Sequence, residues 1–167
     1  IYVGLVFFMF TGASNAVNLT DGMDGLAGGT VWIAILGFWI INHDVNLVLG
    51  HFMLLVLGSL AAYLVYNLYP AKIIMGDTGS LALGALLAVF AMVMKQEALL
   101  VILGIVFVIE TLCVILQIGS VKLFKRKIFP YTPIHYSFTL KGWKEKQVVA
   151  LFWSVGVLGL LLGLWLS

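Results

Sequence analysis

Charge is what this sequence has least of. Only 10% of its 167 residues are Asp, Glu, Lys or Arg, and 63% are hydrophobic, whereas about a quarter of a soluble domain is charged. A mean hydropathy of +1.15 makes a bilayer the solvent these side chains require. The net charge of +2 gives no ground for nucleic-acid binding. The single cysteine, Cys113, excludes a disulfide framework and a thiolate metal cluster. It sits in an apolar run and reads as an inert buried thiol. No apolar run shows the strict alternation of a barrel strand. There is no internal repeat and no low-complexity segment. The opening run also lacks the basic start and cleavage site of a signal peptide.

What is present is a series of six apolar stretches: 1–10, 25–41, 47–67, 80–94, 99–119 and 148–166. Roughly 20 apolar residues cross a bilayer as helix, so the pattern predicts an all-α, polytopic transmembrane helix bundle forming one integral membrane domain over 1–167. As a helix the first stretch is only ~15 Å long. It is expected to be the tail of a helix that begins upstream, in a longer protein.

The linkers alternate in character. Residues 11–24 are polar and rich in Asn, Asp and Gly; 42–46 read as a short hairpin; 68–79 carry Lys72 and Asp77; 95–97 form a tight turn; 120–147 are long and basic. If every stretch spans, the first, third and fifth linkers share one side. Of the nine Lys and Arg residues, all but Lys95 fall in the third and fifth linkers. That bias makes this face cytoplasmic. Asp21, Asp24 and Asp77 lie on it too, while His43, Asp44, Lys95 and Glu97 fall on the other.

Candidate chemistry concentrates on the same face. The first linker holds Asn15, Asn18, Asp21 and Asp24 within ten residues, with Gly22 and Gly25 following the aspartates. Such a loop can reach round a sugar, a phosphate or a hydrated metal, and it can equally be a turn whose Asp and Asn cap helices. In the third linker, Met75-Gly76-Asp77-Thr78-Gly79-Ser80 precedes an apolar helix. Asp77 or Thr78 can be its N-cap, or Asp77 can bind Mg²⁺ near a helix N-terminus where phosphate oxygens gather. With Asp21 and Asp24 on the same face, the metal–phosphate reading is the better one. The basic stretch 122–127 either anchors the loop at anionic headgroups or also attracts anionic substrates. His135, alone on this face, reads as a solvated loop histidine. Glu110 and Gln117 share a helix face seven residues apart. A mid-membrane charge is expensive, so this stripe is expected to face the bundle, as a structural pair or as a wall of a lipid-phosphate path.

Taken in order, Asn18-Leu-Thr-Asp21-Gly-Met-Asp24-Gly-Leu-Ala, Met75-Gly-Asp77-Thr-Gly-Ser-Leu81, Pro133-Ile-His135 and Leu140-Lys-Gly-Trp143 resemble the phospho-N-acetylmuramoyl-pentapeptide transferase family, and do so over essentially the whole chain. The family belongs with the polyprenyl-phosphate HexNAc-1-phosphate transferases, a glycosyltransferase family 4 type. The resemblance implies a ten-helix enzyme of the bacterial plasma membrane, of which the last six helices are present here. Its reaction joins undecaprenyl phosphate and UDP-MurNAc-pentapeptide to give lipid I and UMP, with Mg²⁺, in peptidoglycan biosynthesis. A homodimer is a compatible assembly. Carried over by position, Asp77 matches the Mg²⁺ ligand. Asn18, Asp21 and His135 match catalytic-cleft residues. Asn15, Gly22, Met23, Asp24, Asn67 and Gly76 match substrate-binding positions.

Two departures stand out. The family runs three histidines, then Phe and Glu; here Tyr136 and Ser137 replace the second and third histidine and Thr139 replaces the Glu. Both substitutes hydrogen-bond, but neither carries imidazole's charge near neutral pH. The family's N-terminal half also carries paired aspartates, and no Asp-Asp occurs here, so these 167 residues alone are expected not to catalyse. The alternatives are a sister enzyme that transfers another HexNAc 1-phosphate, and a non-catalytic homologue or transporter.

Overall fold

The computed structural model describes residues 2–42 and 46–167. Among them the regular structure is helical throughout: α1 (Tyr2–Thr20), α2 (Leu26–Asn42), α3 (Leu47–Asn67), α4 (Gly76–Val93), α5 (Glu97–Leu103), α6 (Ile105–Phe124), α7 (Ile134–Leu140) and α8 (Glu145–Leu166). Helices α1, α3, α4, α6 and α8 are long and apolar enough to cross a membrane. The 17 residues of α2 rise about 26 Å, close to the ~30 Å of a hydrocarbon core. The expected all-α membrane bundle is therefore what forms.

Its boundaries correct the sequence reading in three places. The first apolar run does not stop at Phe10: α1 continues through the polar residues to Thr20, so Asn15 and Asn18 stand on a helix. Polar side chains do not end a helix whose other face packs, and Ala16, Val17 and Thr20 are buried. The fifth run is two helices, because the backbone leaves helical geometry at Gly104 (φ −91°, ψ 20°). The long basic linker contains α7. The expected hairpin at 42–46, with His43 and Asp44, falls largely on residues outside those described, as does Ile1.

Helix α2 is apolar on every side, the pattern of a central element in a membrane bundle, and is buried along most of its length. It packs against α1, α3, α4, α5 and α8. Phe38, Ile35, Met53, Leu87 and Phe90 are fully buried in the core around it. Close approach is set by small residues, as is usual where lipid supplies no hydrophobic drive between helices. A Cβ on Gly29 would overlap the Trp153 indole of α8. A Cβ on Gly84 would lie 2.6 Å from the Ser14 Cα of α1, and Ser14 Oγ donates to the Leu81 carbonyl at 2.8 Å across the same seam.

The two ends of the bundle differ. At one, Asn42 Nδ2 donates to Gln96 Oε1 at 3.2 Å, joining the end of α2 to the start of α5. At the other, the first, third and fifth linkers meet.

Candidate active site

The α1–α4 seam delivers Asn18 to Asp77. Asn18 Nδ2 donates to Asp77 Oδ1 at 2.9 Å and to Ser80 Oγ at 3.0 Å. Ser80 is fully buried and donates on to the Gly76 carbonyl. Asp77 does not cap its helix: Met75 occupies the N-cap and makes no side-chain cap bond. Asp77 stands exposed in the first turn, where the unpaired N–H groups favour negative charge. Gly76 before it has φ +66°, a left-handed conformation that glycine adopts without Cβ strain.

The aspartates of the first linker do not cap helices either; they face the third linker. Asp21 lies close to the Gly76 N–H and to the Asp77 carboxylate. Asp24 Oδ2 accepts from Ala71 N–H at 2.8 Å, and the Asp24 N–H donates to Glu145 Oε1 of α8 at 2.8 Å. Asn67, buried at the end of α3, accepts from Gly25 N–H at 3.1 Å and donates to the Ile73 carbonyl at 2.9 Å. Trp153 Nε1 donates to the Gly25 carbonyl at 3.1 Å. This web fixes a turn of five residues from three directions. Burial raises the Asp21 carboxyl above its ordinary value and the nearby Asp77 charge adds to the rise, against the pull of the Gly76 N–H. Met23 packs against the small cluster of Leu26, Val106, Val148 and Phe152. Asn15 stays outside the network; it is exposed and bonds its own helix at Thr11 O, 2.7 Å.

The fifth linker differs most from its sequence reading. His135 is fully buried, not solvated. Its Nδ1 lies 2.9 Å from Glu110 Oε1, and Glu110 Oε2 accepts the Ile134 N–H at 2.7 Å. Gln117, on the same face of α6, accepts from Ile128 and Phe129 N–H and donates to the Phe129 carbonyl. The polar stripe thus faces inward as expected, and what it holds is the fifth linker. Tyr136 donates to the Gly22 carbonyl at 3.2 Å. Burial, then Tyr131 and the carboxylates of Asp21, Glu145 and Glu110, push its phenol up, which keeps it a donor. Ser137 bonds Tyr131 in both directions, accepting its N–H and donating to its carbonyl.

Among the described residues no three of His, Cys, Asp and Glu gather as a cage, which is unlike a structural zinc or calcium site. A half-buried carboxylate, Asp21, close to a second, Asp77, in a helix's first turn fits a cation of the Mg²⁺ kind. Such an ion takes one or two carboxylates and fills its remaining positions with phosphate oxygens and water. Beside Asp24 lies a cavity of about 270 Å³ bounded by Tyr69, Lys146 and Trp153, with Lys146 Nζ 5.2 Å over the Tyr69 ring. An apolar groove of about 480 Å³ runs between α1 and α6, reaching Val17, the neighbour of Asn18.

Of the predicted residues, Asn18, Asp21, Gly22, Asp24, Asn67, Gly76 and Asp77 meet in one network, with His135 behind Gly22; Asn15 does not join. Ser80, Glu145 and Trp153 were not predicted. Ser80 had a signal, since three residues on from Asp77 is the same helix face. Glu145 and Trp153 had none, being more than 120 residues from their partners.

A family model described as glycosyl transferase family 4 matches residues 1–95. Curated relatives named phospho-N-acetylmuramoyl-pentapeptide-transferase are similar over nearly the full chain. That of Staphylococcus epidermidis is 46% identical over 167 residues, and those of Oceanobacillus iheyensis and Bacillus cytotoxicus are 49% identical over 172 and 170. Each comparison covers 99% of this chain and 52% of the relative. The chain thus spans about half the length of the curated relatives it matches.

Proposed function

The chain belongs to glycosyl transferase family 4, and on that premise we propose that it is the membrane-embedded C-terminal part of a phospho-N-acetylmuramoyl-pentapeptide transferase. In this reading the complete protein joins UDP-MurNAc-pentapeptide to undecaprenyl phosphate, giving lipid I and UMP for peptidoglycan. The observation that carries it is the meeting of the first and third linkers, where Asn18 holds Asp77 and the Ala71 N–H holds Asp24. The names of the relatives favour the muramoyl substrate over another HexNAc.

Phosphoryl transfer asks mainly for positioning and neutralised charge. An oxygen of the lipid phosphate attacks the sugar-linked phosphorus. That new P–O bond forms as the bond to the bridging oxygen breaks, and UMP leaves with the electron pair. Asp77 is the residue that would hold Mg²⁺, which supplies charge neutralisation at the phosphates when bound. Asn18 keeps the Asp77 carboxylate oriented. Asp21, with its raised carboxyl, is better matched than an ordinary aspartate to take a proton from a lipid phosphate monoanion. Asp24, Asn67, Gly22, Met23 and Gly76 shape the nucleotide side. The α1–α6 groove gives a prenyl chain an apolar path to Asn18. The eight-to-one Lys and Arg bias supports a cytoplasmic active face in a bacterial plasma membrane. The 167 residues, lacking the paired aspartates, do not turn over alone.

The test is UMP release by the full-length protein from UDP-MurNAc-pentapeptide, undecaprenyl phosphate and Mg²⁺. Asp77→Asn is expected to lower it by more than about 100-fold, beyond the loss typical of residues that only support a metal ligand. Wild-type release with UDP-GlcNAc in place of the muramoyl donor would move the assignment to the sister enzymes. Unchanged release by Asp77→Asn would refute the metal site.

A further inference from the structure

Glu110 and His135 are both fully buried, yet in the reading above neither touches substrate. One carboxylate oxygen of Glu110 accepts the backbone N–H of Ile134, the first residue of α7, an N–H that its own helix leaves unpaired. The other oxygen faces His135 Nδ1. The opposite ring nitrogen, Nε2, is buried and has no hydrogen-bond partner. It abuts Gly22: a Cβ there would overlap Nε2 and lie 2.8 Å from the Tyr136 hydroxyl oxygen. Glycine at 22 is therefore what lets α7 seat on the turn that carries Asp21.

The proton of the ring follows from this geometry. Buried donors without an acceptor are rarer than buried acceptors without a donor. With Nε2 facing a Cα, the favourable arrangement puts the proton on Nδ1, donated to the Glu110 carboxylate, and leaves Nε2 bare. The reverse arrangement would aim an unpaired N–H at Gly22.

We propose that Glu110 is a positioning residue for the transfer reaction: it fixes the His135 ring with Nδ1 protonated and Nε2 bare, and thereby holds α7 against Gly22 and sets the Asp21 turn. The claim about turnover rests on the transferase reading; the claim about the ring does not. His135 acts in the same chain of contacts, reaching the site through Gly22.

Glu110→Gln separates position from bulk. The carboxamide oxygen still accepts the Ile134 N–H, but its NH₂ must donate to Nδ1, which moves the ring proton to Nε2. Nitrogen-15 NMR of histidine-labelled full-length protein in detergent reads this directly, with the His135 signal assigned by its loss in His135→Gln. The wild type is expected to show an unprotonated Nε2 at neutral pH and Glu110→Gln a protonated one. The kcat for UMP release should fall about 10- to 100-fold, the range for groups that orient another ligand. KM for the nucleotide should stay within about threefold, since the ground-state contacts are not removed. A protonated Nε2 in the wild type overturns the proposal, and so does Glu110→Gln with wild-type kcat. Should that variant fail to fold, the wild-type spectrum decides alone. A wild type that gives the expected spectrum but releases no UMP refutes the transferase reading and the claim about turnover together, and leaves the ring assignment standing.

Discussion

The α1–α4 seam sets the position of Asp77, and Gly84→Ala tests it. The added methyl would lie 2.6 Å from Ser14 Cα and 2.8 Å from the Ala13 carbonyl carbon. All of these are backbone atoms, which cannot rotate away. Carbon atoms rest about 3.5–4 Å apart, so α1 must retreat from α4 by about 1 Å at that level. Asn18 is one helical turn along α1 and Ser80 one turn along α4. A retreat of that size takes the Asn18 contacts, now 2.9 and 3.0 Å, beyond hydrogen-bond range. It also stretches the 2.8 Å bond from Ser14 to Leu81. Overpacking costs roughly 1–3 kcal/mol, and the lost hydrogen bonds add about 1 kcal/mol, discounted for the exposure of Asp77. Alanine's better helix propensity returns at most about 1 kcal/mol. A net loss of about 1–3 kcal/mol is expected in reversible unfolding of the full-length protein, together with a higher Mg²⁺ requirement for UMP release. Gly58→Ala is the control, because a Cβ there meets nothing within 4 Å; it should be neutral or slightly stabilising. If Gly84→Ala matches that control in both stability and Mg²⁺ titration, the close seam and its role in aiming Asp77 are wrong.

Two further outcomes follow from the same geometry. The folded-state carboxyl of Asp21 is raised, so the folded protein binds that proton more tightly than the unfolded one. This contributes stability that is present below the unfolded carboxylate pKa and lost as pH rises through the folded value. Asp21→Asn, which keeps the shape of the side chain without its charge, should therefore melt higher than wild type at neutral pH in metal-free buffer. The gain should shrink toward pH 3–4, and a lower neutral-pH melting temperature would refute the sign. Asn67→Leu strands the Gly25 N–H and the Ile73 carbonyl. A buried group left unpaired costs about 1–3 kcal/mol, and the expected readout is a raised nucleotide KM with a smaller change in kcat. Unaltered kinetics and stability would remove Asn67 from the site.

The sequence by itself determined the solvent, the helical class and the end of the bundle at which the candidate residues gather. Those depend on composition and on where the charges fall along the chain, and both are one-dimensional properties. It also placed Asn18, Asp21, Asp24 and Asp77 together, because alternate linkers of a spanning bundle must return to the same surface. Helix ends were less legible: Asn15 and Asn18 look like loop residues until one face of α1 is seen to pack, and the break at Gly104 depends on its surroundings. What only the tertiary structure decided were the contacts between distant segments. Trp153 packs against Gly29 and reaches Gly25, Glu145 holds Asp24, and Glu110 draws His135 out of an apparently solvated loop into the core. Each depends on how closely two helices approach. That distance is fixed by the absence of a side chain on a particular glycine and by the shape of the residue facing it, and no local pattern in the sequence encodes such a pairing.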